Sequence, residues 1–233
     1  MNKMNKMNKM NKWNFDDKDL NFDSHVRSSV PFYDETHRLI SFLSTFFLKK
    51  NSIAYEIGCS TGKLLERVNN YNNLDTIQYI GIDPSKNLIS QAKKRCKNKN
   101  LTFINSHIEK FKFKKSDIII AHFVFQFIEK ENQQKLFNAV YKSLKKGGAF
   151  IFFEKNHYDN SETDFMLSSV YNYDFKKFNK FSEEQIYKKK FSLRGIMKLN
   201  SENETKKILN QMNFKEVATI FKWGQFTGHL CIK

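Results

Sequence analysis

The run Asp117–Phe123, with Ile118-Ile119-Ile120-Ala121 at its centre, limits most strictly how this chain can fold. A strand with one wet face alternates apolar and polar side chains, because successive Cβ atoms point to opposite faces. This run does not alternate, so both its faces must be covered. That is the environment of a central strand in a parallel sheet with helices on either side.

The flanking sequence supplies the other strands and the helices. Ile53–Ile57, Gln78–Ile82, Leu101–Asn105 and Ala149–Glu154 are short apolar segments bounded by turn residues. Between them lie helical stretches beginning at Lys63, running through Ile89 to Cys96, and spanning Glu131–Leu144. Gly147-Gly148 reads as the left-handed stop of the last of these. Upstream, Tyr33–Leu48 reads as an amphipathic helix with Leu39, Ile40, Leu43, Phe46 and Phe47 on one face. Downstream, His157–Lys190 is helical and rich in aromatics and lysines, an insertion expected to cover the ligand site. Thr205–Met212 follows as a helix, and Val217–Lys222 with Gly228–Ile232 as a closing antiparallel hairpin. Strands alternating with helices imply an α/β fold: a Rossmann-like, doubly wound, mainly parallel seven-stranded sheet with an antiparallel C-terminal hairpin and a helical insertion.

A chain of 233 residues suits one large domain. Residues Met1 to Lys12 are four copies of Met-Asn-Lys, which have no apolar face to bury. Residues 1–21 are therefore read as a disordered low-complexity tail. Phe15 to Pro31 is mixed and polar. No apolar run reaches the roughly 18 residues that span a bilayer, and the N-terminus lacks the apolar stretch of a signal peptide. With three cysteines at no metal-ligand spacing, a reducing, cytoplasmic setting is expected. The formal charge of +16 invites an anionic partner such as nucleic acid. Only five of the 40 basic residues are arginine, however, and a lysine-rich solvated surface is the favoured interpretation.

The chemistry concentrates in Tyr55-Glu56-Ile57-Gly58-Cys59-Ser60-Thr61-Gly62, between a strand and a helix. Gly58 lets the backbone turn sharply beside a ligand, and Gly62 lets the next helix pack near the sheet. The helix N-terminus beyond offers free N–H groups to a carboxylate. Asp83, ending the second strand in Ile80-Gly81-Ile82-Asp83, can accept hydrogen bonds from both hydroxyls of a ribose. Asp83-Pro84 is also a good helix start. The loop is neither a dinucleotide fingerprint nor a phosphate loop. No Ser-His-Asp set and no metal cluster is readable, and no catalytic residue is assigned. His25, His37, His157 and His229 are expected to be surface or capped residues, and Trp223 and Phe226 core or cleft lining.

Glu56 before the glycine, the wide glycine spacing and Asp83 together resemble a class I S-adenosylmethionine-dependent methyltransferase, over roughly residues 22–233. The chain is most similar to the carboxy-S-adenosylmethionine synthase family. The segments that carry this likeness are Ser29-Val30-Pro31-Phe32-Tyr33, Gly58-Cys59-Ser60, Phe125-Gln126-Phe127, Gly147-Gly148-Ala149, Glu154-Lys155 and Asp174-Phe175-Lys176. That family has the methyltransferase fold but builds carboxy-S-adenosylmethionine from S-adenosylmethionine and prephenate, for wobble-uridine modification in tRNA. The resemblance implies that residues 22–233 form one S-adenosylmethionine-binding domain. It places Tyr33, Gly58-Cys59-Ser60, Asp83-Pro84, His107-Ile108 and His122 at the cofactor, beside Glu56 and Gly62 of the loop. It places Lys190 at the extra carboxylate, with Arg194 one turn later as a substitute. His107 stands where the family has Asp, His122 where it has Asn, and Lys190 where it has Arg. A guanidinium grips a carboxylate with a planar fork, whereas an ammonium is a point charge.

Three functions follow. The first is a methyltransferase, or closely related transferase, acting on a small-molecule acceptor with S-adenosyl-L-methionine. The second is a carboxy-S-adenosyl-L-methionine synthase using prephenate. The third is a non-catalytic nucleoside- or RNA-binding protein. A homodimer is compatible with each, and no membrane partner is expected. Deleting residues 1–12 should leave the melting temperature and ligand affinity unchanged; a large drop on truncation would show that the repeat docks on the domain.

Overall fold

The computed structural model describes Phe15 and residues 21–233, so the Met-Asn-Lys repeat lies outside the described residues. Seven strands form one sheet: β1 (Ile53–Ile57), β2 (Gln78–Asp83), β3 (Leu101–Asn105), β4 (Ser116–His122), β5 (Leu144–Lys155), β6 (Glu216–Trp223) and β7 (Phe226–Ile232), in the order β3-β2-β1-β4-β5-β7-β6. β3, β2, β1, β4 and β5 pair in parallel; β7 pairs antiparallel with β5 and β6. The expected architecture is thus observed.

Helices cover both faces. In chain order they are α1 (Phe22–Ser29), α2 (Tyr33–Ser44), α3 (Lys63–Asn72), α4 (Lys86–Arg95), α5 (Lys130–Ser143), α6 (Ser161–Ser169), α7 (Glu183–Ser192) and α8 (Glu202–Asn210). Between α6 and α7 the chain winds through a π-helical stretch, Val170–Phe175, and a short turn, Lys176–Phe178. Consecutive residues of the central strands enter opposite cores. Ile118, Ile120, Ile151 and Phe153 pack with Ile40 of α2 and with Leu64, Leu65 and Val68 of α3. Ile119, Ala121, Phe150 and Phe152 pack with Phe137 and Val140 of α5 and with Leu209 of α8. Each fully buried large apolar side chain contributes about 1.5–3 kcal/mol. This two-sided burial is why β4 carries no polar alternation.

One carboxylate pins the opposite end of these strands. Asp117 accepts a hydrogen bond from the Ile53 backbone N–H at 2.8 Å and an ion pair from Lys145 Nζ at 2.8 Å, tying the starts of β1, β4 and β5 together.

Several sequence expectations are corrected. Gly147-Gly148 does not cap α5: that helix ends at Ser143, and Leu144 is already extended and paired with Ser116. Gly147, at φ +78°, lies within β5 where the pairing with β4 shifts register, so the glycine pair forms a bulge in a twelve-residue strand. Helix α2 stops at Ser44, and Phe46 of its expected apolar face is exposed. The mixed, polar segment before Pro31 contains helix α1, N-capped by the Asn21 side chain. His37 and His229 are fully buried rather than at the surface. His37 lies three residues before Ile40 on the inner stripe of α2, and His229 packs on Phe152 with ring centroids 4.9 Å apart. Cys59, Cys96 and Cys231 are free and buried. Among the described residues, no helix is long and apolar enough to cross a membrane.

Replacing Asp117 with Ala should strip a partner from one backbone N–H and one ammonium, at a cost of about 2–3 kcal/mol. Denaturant unfolding of the variant checks this; an unchanged midpoint would refute the pinning role.

Candidate active site

Strand order reverses between β1 and β4, and in such sheets the crevice beyond the carboxyl ends of the strands is where ligands bind. A cavity of about 800 Å³ opens there. Its floor is built by the strand ends, its roof by α1, and its far wall by the insertion.

The β1 loop is held in shape by the neighbouring strand. Gly58 and Cys59 donate their backbone N–H groups to the Ile82 carbonyl, at 2.7 and 3.1 Å. Gly58 sits at φ +68°, and a Cβ there would stand 2.5 Å from Val124, so no larger residue fits this turn. Asp83 accepts from the backbone N–H of Ser60 at 3.0 Å and of Ser85 at 2.8 Å, joining the loop to the start of α4. Glu56 is buried on β1, and its Oε2 takes no hydrogen bond. Burial pushes its carboxyl well above the usual range; a backbone hydrogen bond from Leu65 opposes this and repulsion from Asp83 adds to it.

Of the residues expected at the ligand, Tyr33, Glu56, Gly58, Cys59, Ser60, Asp83, Pro84, His107, His122, Lys190 and Arg194 all line this cavity. Gly62 and Ile108 do not. Gly62 lies against Phe103, where an added Cβ would come within 2.7 Å of the ring, so it serves helix–sheet packing. Ile108 opens a short 3-10 turn and packs into the core on the α5 side.

The structure adds residues to the lining. His37 contributes from α2, its ring 4.2 Å from Tyr33 and 4.8 Å from His122. Both of its ring nitrogens lack partners, and burial, with nearby Arg67 and Lys63, drops its pKa to about 3. Lys155 comes from the end of β5, Tyr171 and Lys176 from the insertion, and Lys189 from α7. Lys155 and Lys176 both lie over the Tyr171 ring, at 4.3 and 4.6 Å from its centroid. Burial lowers these amines first, Lys155 to about 7, Lys176 to about 8 and Lys189 to about 6; repulsion from Lys176 adds to it at Lys155 and Lys189 and repulsion from Lys190 at Lys176, while Asp164 opposes it at Lys155. Among the described residues, Lys155, Lys176 and Lys190 form no ion pair within 4.0 Å. Their sequence signal was faint: Glu154-Lys155 and Asp174-Phe175-Lys176 stood among the family-like segments without a role.

The roof is latched to the loop. Thr61 Oγ1 donates to Asp23 of α1 at 2.6 Å, and Arg95 donates to Asp23 and to Thr61 Oγ1. Phe15 packs edge-on to Phe127 across the same opening, 5.1 Å between centroids.

Comparison with known proteins agrees with this geometry. A family model described as a methyltransferase domain matches residues 54–148. Human N-acetylserotonin methyltransferase, solved with S-adenosylmethionine, superposes with a TM-score of 0.60 at 13% identity, over 90% of this chain and 54% of that one. Magnesium protoporphyrin IX methyltransferase from Synechocystis, solved with S-adenosylhomocysteine, gives 0.60 at 14% identity, over 91% and 93%. The matched domain and the relatives of the chain define an S-adenosylmethionine-dependent transferase. Carboxy-S-adenosyl-L-methionine synthase of Staphylococcus epidermidis is 35% identical over 91% of this chain and 92% of its own length. The enzyme of that name from Sulfurimonas denitrificans is 31% identical over 91% and 90%. The chain belongs to the carboxy-S-adenosyl-L-methionine synthase family.

The residues present fit such a cofactor. A nucleoside bearing an amino-acid arm needs a carboxylate at the β2 end, a close-approach glycine at the β1 end, and acceptors beyond it. Asp83, Gly58 and, beyond it, Ser60 and His122 stand at those places. Replacing Asp83 with Ala removes an acceptor and also releases the Ser60 and Ser85 N–H groups. The affinity for S-adenosylhomocysteine should fall about tenfold or more. Calorimetry on the variant checks this, and unchanged affinity would refute the ribose assignment.

Proposed function

We propose that this chain, as one domain over residues 22–233, converts S-adenosylmethionine and prephenate to carboxy-S-adenosylmethionine, for use in tRNA modification. The single observation that carries this reading is the cationic wall of Lys155, Lys176, Lys189, Lys190 and Arg194, facing the cofactor residues across one cavity. Lys155 and Lys176, crowded over the Tyr171 ring and withdrawn from water, hold their charge at a cost that an anion between them offsets. An acceptor with two carboxylates answers that cost, whereas a neutral acceptor does not.

S-adenosylmethionine supplies the sulfonium-activated carbon, and the remaining work belongs to the chain's own residues. Asp83 holds the ribose, and Gly58-Cys59-Ser60 lets the arm pass close to the backbone. Tyr33, His107 and His122 complete the cofactor side. Lys190 stands at the carboxylate added to the cofactor, with Arg194 a turn away. Lys155, Lys176 and Lys189 hold the acid, and Phe123, Phe127 and Phe226 exclude water between the two. Fixing both reactants in line can supply several kcal/mol of the barrier, on the order of the effect of an intramolecular reaction. A homodimer belongs to the same proposal, with Phe165, Phe178 and Tyr187 of the insertion as exposed apolar surface for it.

One observation favours a second reading, plain methyl transfer to a small acidic acceptor. Lys190 replaces the fork expected at the added carboxylate, and an ammonium defines that group's orientation less strictly.

The mass of the nucleoside product after incubation with S-adenosylmethionine and prephenate separates the two readings. A carboxylated product supports the synthase; demethylated cofactor alone supports methyl transfer. The pH dependence gives a further check. Amines with pKa values from about 6 to about 8 are charged below those values and neutral above them. The KM for the acid should therefore rise as the pH is raised from about 6 to about 8, and a flat profile would remove the lysines from acid binding. Lys190→Ala should weaken carboxy-S-adenosylmethionine far more than S-adenosylmethionine, because the two ligands differ by one carboxylate.

A further inference from the structure

Glu56 and His122, on neighbouring strands, line one part of the cavity. Glu56 of β1 is in register with Ile120 of β4. Side chains in register, and those two residues further along, share a face of the sheet. Glu56 and His122 therefore rise from the same face, both into the cavity lining.

The tautomer of His122 follows from its neighbour. Thr36 Oγ1 lies 2.8 Å from the Tyr33 carbonyl oxygen and 3.0 Å from His122 Nε2. A hydroxyl has one proton. The carbonyl can only accept, so that proton goes to Tyr33 O; otherwise two oxygens would face each other with no hydrogen between them. Thr36 Oγ1 then accepts from His122, which must carry its proton on Nε2. Burial, with His37 beside it, keeps the ring neutral. Its other nitrogen, Nδ1, is left as an acceptor. It has no protein partner among the described residues, and it is absent from the sealed, unpartnered atoms that include both nitrogens of His37.

The strand order says what lies opposite. With the ribose at the β2 end, the ligand crosses β1 toward β4, so its amino-acid arm reaches His122. The hydrogen-bond donor on that arm is an α-ammonium, which offers three protons.

We propose that Thr36 is a positioning residue of the ligand site: its hydroxyl fixes His122 as the Nε2–H tautomer, so that Nδ1 accepts from the α-ammonium of S-adenosylmethionine. This rests on the cofactor and not on which group is transferred, so it stands under either reading of the reaction.

The test uses the full chain and S-adenosylhomocysteine, which carries the same ammonium, beside the analogue in which hydrogen replaces that ammonium. Thr36→Val should weaken S-adenosylhomocysteine about tenfold, the scale of one hydrogen bond to a charged group. Thr36→Ser should restore it, and neither change should alter binding of the deaminated analogue. In a His122→Phe background Thr36→Val should have no further effect, since no ring nitrogen is left to orient. Ring-nitrogen NMR should show His122 as the Nε2–H form in the native chain and as a mixture in Thr36→Val. A Thr36→Val loss that persists in the His122→Phe background, or equals the loss for the deaminated analogue, would reduce Thr36 to a structural residue and overturn the proposal. So would an Nδ1–H signature in the native chain. If Thr36→Val does not fold, the NMR signature and the native chain's preference for the ammonium-bearing ligand over its analogue, lost in His122→Ala, decide alone. Failure of the native chain to bind S-adenosylhomocysteine would count against the cofactor, a different result from any of these.

Discussion

The carboxylate of Asp83 holds the ligand end of the sheet in working order. Its two oxygens accept backbone N–H groups from Ser60 and Ser85, on the loop after β1 and at the N-cap of α4. Backbone donors at the mouth of a crevice have no strand partner, and leaving them bare costs about 1–3 kcal/mol each. With both satisfied by one side chain, the Gly58 turn can adopt its left-handed geometry against Val124. The same strand end also supports the β3 loop, since Asn105 donates to the Asp83 backbone carbonyl at 3.1 Å. The loops around the cavity are in this way anchored to a few atoms at the tip of β2.

The cavity built on that anchor has two unlike walls. The sheet side offers acceptors and aromatic rings: Glu56, His122, His37 and Tyr33. The insertion side offers cations, with Lys155 and Lys176 over the Tyr171 ring. Tyr171 in turn donates its hydroxyl to the Ser29 carbonyl at 2.9 Å, so the cationic wall is fastened to the end of α1. A ligand with an ammonium toward the first wall would meet neutral hydrogen-bond acceptors, and a second with carboxylates toward the other would meet cations. The gap between them is lined by phenylalanines, where a reacting carbon is shielded from water.

What the sequence disclosed follows from how distinctive each residue was against its background. The Ile118–Ala121 run was legible because only a strand covered on both faces removes every polar residue. The Gly58 turn and Asp83 were legible because a glycine and an acid at strand ends break the apolar pattern. The lysines of the insertion were not: in a chain whose basic residues are almost all lysine, no single one stands out. His37 was hidden because a lone histidine on an amphipathic helix reads as polar, whereas its position one turn before Ile40 buries it. The Gly147-Gly148 pair misled for a physical reason, since the geometry that ends a helix also forms a strand bulge. Helix α1 lacked an apolar signature because polar contacts to Thr61 and Arg95 help hold it in place.

That last feature bears on how firmly the roof is held. The roof is secured by Asp23 to Thr61 and Arg95 on one side and by Phe15 against Phe127 on the other. The charged contact is partly exposed, with the Arg95 side chain 35% accessible, and partly exposed ion pairs weaken as salt screens them. The aromatic contact is indifferent to salt. The tie between the roof and the β1 loop therefore slackens as ionic strength rises, at a contact remote from the floor of the cavity. In concentrated electrolyte the roof is left to the Thr61 and Tyr171 hydrogen bonds and to the Phe15–Phe127 contact.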